Sequence, residues 1–142
     1  MKKKTVLTIL LAGLVLFGLI QLIPVDRSNP QPSKEPNWPS PEARALVKEH
    51  CFDCHSNETV WPWYGYVAPS SWLLKWDVDR GRRRLNFSEW DKRLTSLDEM
   101  VENIQTGEMP PMQYTLIHTN SRLNDQQKQA LIEALNGLYK SK

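Results

Sequence analysis

The chain is 142 residues long and contains ten prolines and six tryptophans. Three of its 18 basic residues are the lysines at positions 2–4, so the rest of the chain has 15 basic against 16 acidic side chains. This balance excludes a general nucleic-acid-binding domain, which needs a concentrated basic face. The length leaves room for one small domain, and such a domain often depends on a metal, a disulfide or a cofactor.

Residues 1–25 are predicted to form a membrane segment. Thr5–Ile23 is a stretch of 19 residues without a charge, and as a helix it would span about 28 Å, close to the roughly 30 Å hydrocarbon core of a bilayer. A signal peptide usually has a shorter apolar region that ends at a small-residue cleavage site, and no such site follows Ile20. The sequence therefore favours an uncleaved transmembrane anchor over a cleaved signal peptide. The lysines predict a cytoplasmic N-terminus, which places the domain on the extracytoplasmic, periplasmic side.

Residues 26–40 are expected to form an extended, poorly ordered linker. Six of the ten prolines fall between positions 24 and 41, among Ser, Asn and Gln residues, and this composition disfavours a packed fold. Residues 41–142 are then the folded domain.

The domain is predicted to be all-α, because neither a strand pattern nor an internal repeat is present. Ser40-Pro41-Glu42 can open a helix that delivers its C-terminal end to Cys51, and Ser70 or Ser71 can cap a second helix through about Arg84. Three later segments complete the prediction: a short helical piece near residues 88–93, a capping box at residues 96–99 before a helix that stops at Gly107, and a last helix opened by Asn124 and Gln127. The aromatic segment after the first helix and the proline-rich turn at residues 108–114 are expected to be irregular.

The chemistry of the chain is concentrated in Cys51-Phe52-Asp53-Cys54-His55, a C-x-x-C-H sequence typical of c-type haem attachment. Two thiols three positions apart can both reach the vinyl groups along one edge of a porphyrin, and the following imidazole can then meet the iron. The sequence therefore predicts one covalent haem, attached through Cys51 and Cys54, with His55 as an iron ligand. The six tryptophans suit packing against a flat cofactor, although an ordinary aromatic core would account for them equally.

Three other interpretations of the two cysteines are possible. A disulfide between Cys51 and Cys54 would close a short, strained loop. A redox C-x-x-C normally lies beside a βαβ pattern, which is absent. Zinc could take Cys51, Cys54, His55 and His118, but structural zinc sites more often bring two ligand pairs at a characteristic spacing. The haem interpretation is favoured over all three.

Met109 is the predicted second axial ligand. It lies 54 residues after His55, in a Gly-Glu-Met-Pro-Pro segment that follows a short helix, and the proline after it favours an extended strap. Met112 is the close competitor, and both methionines could simply pack. His118 is a further alternative but is expected to be a partly exposed loop residue. His50 directly precedes Cys51 and is not expected to reach the opposite ring face.

Beyond the motif, the segments CHSNETVWPWYGYVAPSSWLLKWDVDRGRRRLNFSEW and GEMPPMQYTLIH resemble the bacterial haem-binding domain family, over a range from about Ser40 to the C-terminal helix. This family consists of small single-haem, cytochrome c-like proteins with a C-x-x-C-H domain behind an N-terminal hydrophobic segment. The resemblance implies a covalent haem at Cys51 and Cys54 with iron on His55, and it implies no defined reaction.

The expected function is one-electron transfer with an unknown redox partner protein, because iron with two axial ligands has no vacant position. The alternative is a haem-based sensor or a peroxidase-like enzyme with an open or labile distal position. A third reading is a domain without haem that uses the cysteines for zinc or a disulfide. No Ser-His-Asp arrangement, carboxylate pair or phosphate loop supports an enzyme independently, so an electron carrier is favoured over an enzyme.

Overall fold

The structure is a computed structural model and describes residues 2–140. Within this range the regular elements are six α-helices and three 3₁₀ turns, with no β-strand beyond an isolated bridge between Lys34 and Glu89. The predicted all-α fold class is confirmed. The helices are α1, Lys2–Ile20; α2, Pro41–His55; α3, Ser70–Arg84; α4, Leu97–Thr106; α5, Met112–Ile117; and α6, Asp125–Lys140.

Capping residues account for the start of α2 and for both ends of α4. The hydroxyl of Ser40 accepts the N–H of Ala43 at 3.1 Å, and the hydroxyl of Ser96 accepts the N–H of Glu99 at 3.2 Å. Both bonds satisfy an amide that the first helical turn leaves unpaired. Gly107 ends α4 in the left-handed conformation, with φ of 78°, which a residue without Cβ adopts at little cost.

Two segments differ from the sequence prediction. The proline-rich stretch expected to be a turn contains α5, a helix of six residues whose N-cap is Pro111. The piece expected near residues 88–93 is a single 3₁₀ turn, Trp90–Lys92. Both segments are too short for apolar residues to recur at helical spacing. The pattern of apolar residues therefore could not predict their secondary structure.

Contacts divide the chain into two compact units. The first consists of Met1–Ser28 and Trp61–Asp77 and so combines α1, the 3₁₀ turn Trp63–Tyr66 and the first part of α3. Helix α1 is long and apolar enough to cross a membrane, a property that a signal sequence shares.

The second unit consists of Asn29–Val60 and Val78–Lys142 and contains the hydrophobic core. Helix α6 packs against both α2 and α4, and its Leu131, Leu135 and Leu138 belong to the core. An aromatic series joins the helices to the loops around them, with ring centroids 5.5 to 6.0 Å apart. Its members are Trp38, Phe52, Phe87, Trp90 and Tyr139.

The tryptophans are divided between the two units. Trp38 and Trp90 belong to the aromatic series of the second unit. The other four belong to the first unit, at positions 61, 63, 72 and 76. For Trp38 and Trp90, the ordinary aromatic core is therefore the observed arrangement.

Residues 33–39 are extended, as their prolines predicted, but they are packed rather than free. The N–H of Ser33 donates to the carbonyl of Ser88 at 3.0 Å, and Pro36 is buried. Glu35 accepts two hydrogen bonds from Arg44 of α2, at 3.0 and 3.1 Å. The aromatic ring of Trp38 and the carboxylate of Glu35 thus give this part of the chain specific partners.

Candidate functional site

The C-x-x-C-H sequence forms the last turn and a half of α2. Cys51 and Cys54 are three positions apart on the helix, which places their side chains on the same face. His55 is the final residue of the helix, so the chain can leave the helix axis directly after it. The predicted helix thus delivers both thiols and the imidazole together.

The first residue between the cysteines anchors the motif to the core. The Phe52 side chain is buried, and its ring stacks on Phe87 with centroids 5.5 Å apart and an interplanar angle of 19°. The Phe52 carbonyl also accepts the hydroxyl of Ser56 at 2.8 Å. Burying a phenylalanine on one side of the helix fixes its rotation, and with it the direction of the two thiols.

The second intervening residue, Asp53, binds the segment that contains the methionines. Its Oδ2 accepts the hydroxyl of Tyr114 in α5 at 2.8 Å. Its Oδ1 accepts the N–H of Val60 at 3.1 Å, and its carbonyl accepts the hydroxyl of Thr59 at 2.7 Å. One residue of the motif therefore holds both the loop that follows α2 and helix α5.

The electrostatic surroundings of Tyr114 agree with this contact. The pKa of its phenol is raised well above the usual range, first by burial and then by the negative charge and hydrogen bond of Asp53. Cys54 also contributes to the rise, which indicates that the phenol lies close to the thiol. Tyr114 stays a neutral donor at any physiological pH, so its bond to the carboxylate persists.

The His55 imidazole is held by the backbone. Its Nδ1 lies 3.0 Å from the carbonyl oxygen of Leu85, and because a carbonyl only accepts, this nitrogen carries the proton. Burial lowers the pKa of His55, while backbone hydrogen bonds with Leu85 and Gly81 partly offset that effect. A neutral ring protonated at Nδ1 has its lone pair on Nε2, which is the form a metal-binding histidine takes.

Helix α3 passes the motif at very short range. A Cβ placed on Gly81 would lie 2.4 Å from the Cys54 carbonyl oxygen and 3.1 Å from its carbonyl carbon. Only glycine permits this approach. The crossing brings the end of α3 against the last turn of α2, and the Leu85 carbonyl that binds His55 follows one turn later.

The loop after the motif is fixed by Arg82. Its Nε donates to the Ser56 carbonyl at 2.8 Å, and its Nη2 donates to the Thr59 hydroxyl at 2.9 Å and to Asn29 Oδ1 at 2.7 Å. His55 itself accepts the N–H of Phe87 through its carbonyl at 2.8 Å. These bonds set the path of the chain as it leaves the imidazole.

The two motif cysteines are not joined by a disulfide. Burial raises the pKa of Cys51 to about 12, and the neighbouring Cys54 adds to the rise. The Cys51 thiol is therefore protonated at neutral pH, whereas redox cysteines react as thiolates. Among residues 2–140, moreover, no group of three or more His, Cys, Asp or Glu side chains is placed to hold a metal ion.

The two methionines differ in environment. Met109 follows α4, and its N–H donates to the Asn103 carbonyl at 3.0 Å, which ties the strap back to that helix. Met112 is the first residue of α5. The exposed fraction is 38% for Met109 and 74% for Met112, so Met109 has the more protected position.

The two other histidines near the motif are placed differently. The His118 ring stacks on Tyr114, with centroids 4.3 Å apart and an interplanar angle of 15°. It thus belongs to the same polar contact that joins α5 to Asp53. His50 is buried within the second unit, and neither of its ring nitrogens has a hydrogen-bond partner among residues 2–140.

Sequence reasoning singled out the two thiols, the imidazole and the methionine, but not the residues that position them. Tyr114, Gly81 and Leu85 act through contacts between distant parts of the chain, which no local pattern reveals. One signal was present for Tyr114, because it lies within the GEMPPMQYTLIH segment that carries the family resemblance. Gly81 sits inside a helical pattern, where an isolated glycine often marks close packing.

Comparison with protein families agrees with the motif and its setting. The sequence profile described as the haem-binding domain matches residues 15–136. No curated protein and no solved structure matches the chain significantly. The matched range includes the whole C-x-x-C-H helix, the α3 crossing and the methionine strap, and it leaves out only the chain ends. The chain therefore belongs to the haem-binding domain family.

Proposed function

We propose that this protein is a membrane-anchored, extracytoplasmic c-type cytochrome-like protein that holds one haem and transfers single electrons. Cys51 and Cys54 would form the thioether bonds, and Nε2 of His55 and the sulfur of Met109 would bind the iron. When bound, the haem supplies reversible one-electron chemistry at its iron. The chain supplies attachment, orientation and exclusion of water.

The observation that carries this proposal is the state of the His55 ring. The Leu85 carbonyl, 3.0 Å from Nδ1, supports a neutral imidazole with Nε2 available to iron. Because the acceptor is a backbone carbonyl in the second unit, the orientation of the ring does not depend on a side chain that could rotate away.

The thiols support covalent attachment. A thioether forms when an S–H group adds across a vinyl double bond, so both cysteines must be reduced and no oxidant is consumed. Cys51 and Cys54 are not joined by a disulfide and lie on one face of α2. The raised pKa of Cys51 keeps its thiol protonated at neutral pH and so disfavours thiol–disulfide exchange.

Two features support Met109 over Met112 as the distal ligand, and a third holds the segment that contains both methionines. Met109 is the less exposed of the two. Its backbone is bonded to Asn103, and the segment that contains it is joined to the motif through Tyr114 and Asp53. A strap held at both ends can keep a thioether in place without a large entropic cost.

Anchoring and side of the membrane are proposed from the amino terminus. Helix α1 has the length and hydropathy of a membrane span, and the lysines at positions 2–4 favour a cytoplasmic start. Full-length protein should then remain in membranes after washing with high salt and alkaline carbonate. A mature N-terminus between Ile23 and Ser40 would identify a cleaved signal instead.

Intact mass spectrometry tests the attachment. Protein made together with the c-type maturation system should have the mass of the chain plus one haem, and denatured protein should keep haem-dependent peroxidase stain on gels. The variant with Cys51→Ala and Cys54→Ala should lose both signals. Wild-type protein whose haem is removed entirely by acid and acetone would contradict the proposal.

One observation favours a second function, the binding of a small gas or peroxide at an open iron position. Met109 retains 38% exposure and Met112 retains 74%, and an exposed thioether is more easily displaced. The two functions differ in a single property, the occupancy of the distal position in the reduced protein. Carbon monoxide reports that property directly.

A further inference from the structure

The first unit contains an aromatic segment that is bound to the end of α1. Gln21, the residue after α1, forms two hydrogen bonds with the backbone of Ala68: its Oε1 accepts the N–H at 2.8 Å, and its Nε2 donates to the carbonyl at 3.1 Å. An amide side chain that satisfies both groups of one residue fixes that residue in position. These two bonds therefore hold the aromatic segment against the residue that follows the apolar helix.

Arg27 provides a second attachment. Its guanidinium donates to the Gly65 carbonyl at 3.3 Å and lies 4.4 Å from the centroid of the Tyr66 ring. The guanidinium and the ring thus form a cation–π contact, which stabilises the position of the ring. Gln21 and Arg27 together hold residues 65–68 against the chain that leaves α1.

The same segment exposes large apolar side chains. Trp63 and Tyr66 are three residues apart on a 3₁₀ turn, where such residues share a face. Leu73 and Trp76 are three residues apart on α3, where they are again neighbours. All four side chains are more than half exposed. Residues 61–77 include six aromatic side chains but only two charged ones, Lys75 and Asp77.

The position of α1 defines what surrounds these side chains. A helix of 19 residues spans about 28 Å, which matches the hydrocarbon core of a bilayer. The residue that follows such a helix lies at the level of the lipid headgroups. Tryptophan and tyrosine are enriched at that level, because their rings are apolar and their N–H or O–H groups need polar partners.

We propose that residues 61–77 lie in the headgroup region of the membrane and that Trp63, Tyr66, Leu73 and Trp76 contact lipid. The inference rests on the proposed membrane anchoring. We expect these side chains to contact lipid because the segment is bound directly to Gln21, the residue that follows the membrane helix. The aromatic segment then contributes to the anchoring of the protein.

Photocrosslinking of the full-length, haem-loaded protein tests this proposal. Trp63 and Trp76 are replaced, one at a time, by the photoreactive residue benzoylphenylalanine, and the protein is placed in nanodiscs of phosphatidylcholine and phosphatidylglycerol. Leu94, which belongs to the second unit and is 74% exposed, carries the same residue as the matched control. After irradiation, intact mass spectrometry separates lipid adducts from adducts with a second copy of the chain.

The proposal predicts lipid adducts at positions 63 and 76 in several-fold excess over position 94. Gln21→Ala should lower the lipid adduct at position 63, since it removes both bonds to Ala68. Equal labelling at all three positions, or adducts with a second chain in place of lipid, would overturn the proposal. Unchanged labelling in the Gln21→Ala variant would overturn the role of the tether.

Failure of the lipid-contact proposal can be distinguished from failure of the proposed function. If α1 is cleaved or the protein is extracted by carbonate, the anchoring is wrong, and the haem stain of the polypeptide still reports attachment independently. If the intact protein inserts and keeps its haem but positions 63 and 76 do not label lipid, only the present inference fails.

Discussion

The Tyr114 hydroxyl donates a 2.8 Å hydrogen bond to Oδ2 of Asp53, across 61 positions of sequence. Asp53 stands between the two cysteines of the motif, and Tyr114 stands in the helix that follows Met109. This contact connects the proposed proximal and distal sides of the haem site. It explains how a short strap with two prolines is kept near a helix from the other end of the domain.

Removing this bond should loosen the strap. Tyr114→Phe is expected to lower the free energy of unfolding by about 1–2 kcal/mol, because a hydrogen bond to a charged group is lost. It should also increase carbon monoxide binding by the reduced protein, since Met109 is held less firmly. Urea unfolding and gas titration measure the two effects.

Tyr139→Phe is the matched control for that variant. It removes a hydrogen bond that Arg93 Nε donates to the Tyr139 hydroxyl at 3.1 Å, within the same unit. Its stability should fall by a comparable amount while the haem spectrum and gas binding stay as in the wild type. If both variants bind carbon monoxide equally, the bond between Tyr114 and Asp53 does not position the distal ligand.

Gly81 should tolerate no side chain. Gly81→Ala places a Cβ 2.4 Å from the Cys54 carbonyl oxygen, and relieving that overlap should cost about 1–3 kcal/mol or more. The expected result is a large loss of haem-loaded protein and a lower urea midpoint. Arg83→Ala changes an exposed position of the same helix and should alter stability by no more than about 0.5 kcal/mol. Normal haem loading in Gly81→Ala would contradict the close crossing.

Glu35 should make stability depend on pH in the acid range. The hydrogen bond from Arg44 is the largest cause that lowers the pKa of Glu35 below its ordinary value of 4.5. A carboxyl with a lowered pKa in the folded state contributes stability above its unfolded value and loses it as pH falls. Glu35→Gln should therefore be less stable than the wild type at pH 7, and the difference should shrink below about pH 4.

Urea midpoints measured from pH 7 to pH 3 check this prediction. Glu133→Gln, at an exposed position of α6, is the control and should follow the wild-type curve. A constant offset between Glu35→Gln and the wild type across the whole range would show that the ionised carboxylate is not what Arg44 stabilises.

Much of the helical framework could be predicted because its signals are local. Ser40, Ser96 and Gly107 act on backbone groups within a turn of their own position, so the sequence reveals both the cap and the helix that it starts or ends. The C-x-x-C-H motif is likewise complete within five residues. Its chemistry can be proposed without knowledge of the fold.

The parts that could not be predicted depend on contacts between distant residues. The docking of Trp38 on Phe52 and Phe87 decides that residues 33–39 are packed, and proline content gives no hint of it. The bond between Tyr114 and Asp53 also joins residues that are far apart in the sequence. The same is true of the approach of Gly81 to Cys54. For the aromatic residues 61–69, the sequence indicated an irregular segment, while its attachment to Gln21 and Arg27 emerged only from the structure.

The two methionines should respond differently to truncation. Met109→Ala should lose the weak far-red absorption band that sulfur-to-iron coordination gives the oxidised protein, and its reduction potential should fall, because a neutral thioether favours ferrous iron. Met112→Ala should keep both properties. The opposite pattern would identify Met112 as the ligand and leave the electron-carrier function in place.

The optical spectrum of the wild-type protein, with and without carbon monoxide, distinguishes an electron carrier with two protein ligands on its iron from a protein with an open distal position. Two protein ligands should give a low-spin oxidised spectrum with the far-red band and a reduced spectrum that carbon monoxide does not change. A high-spin oxidised spectrum, together with ready binding of carbon monoxide by the reduced protein, would contradict it and identify an open distal position.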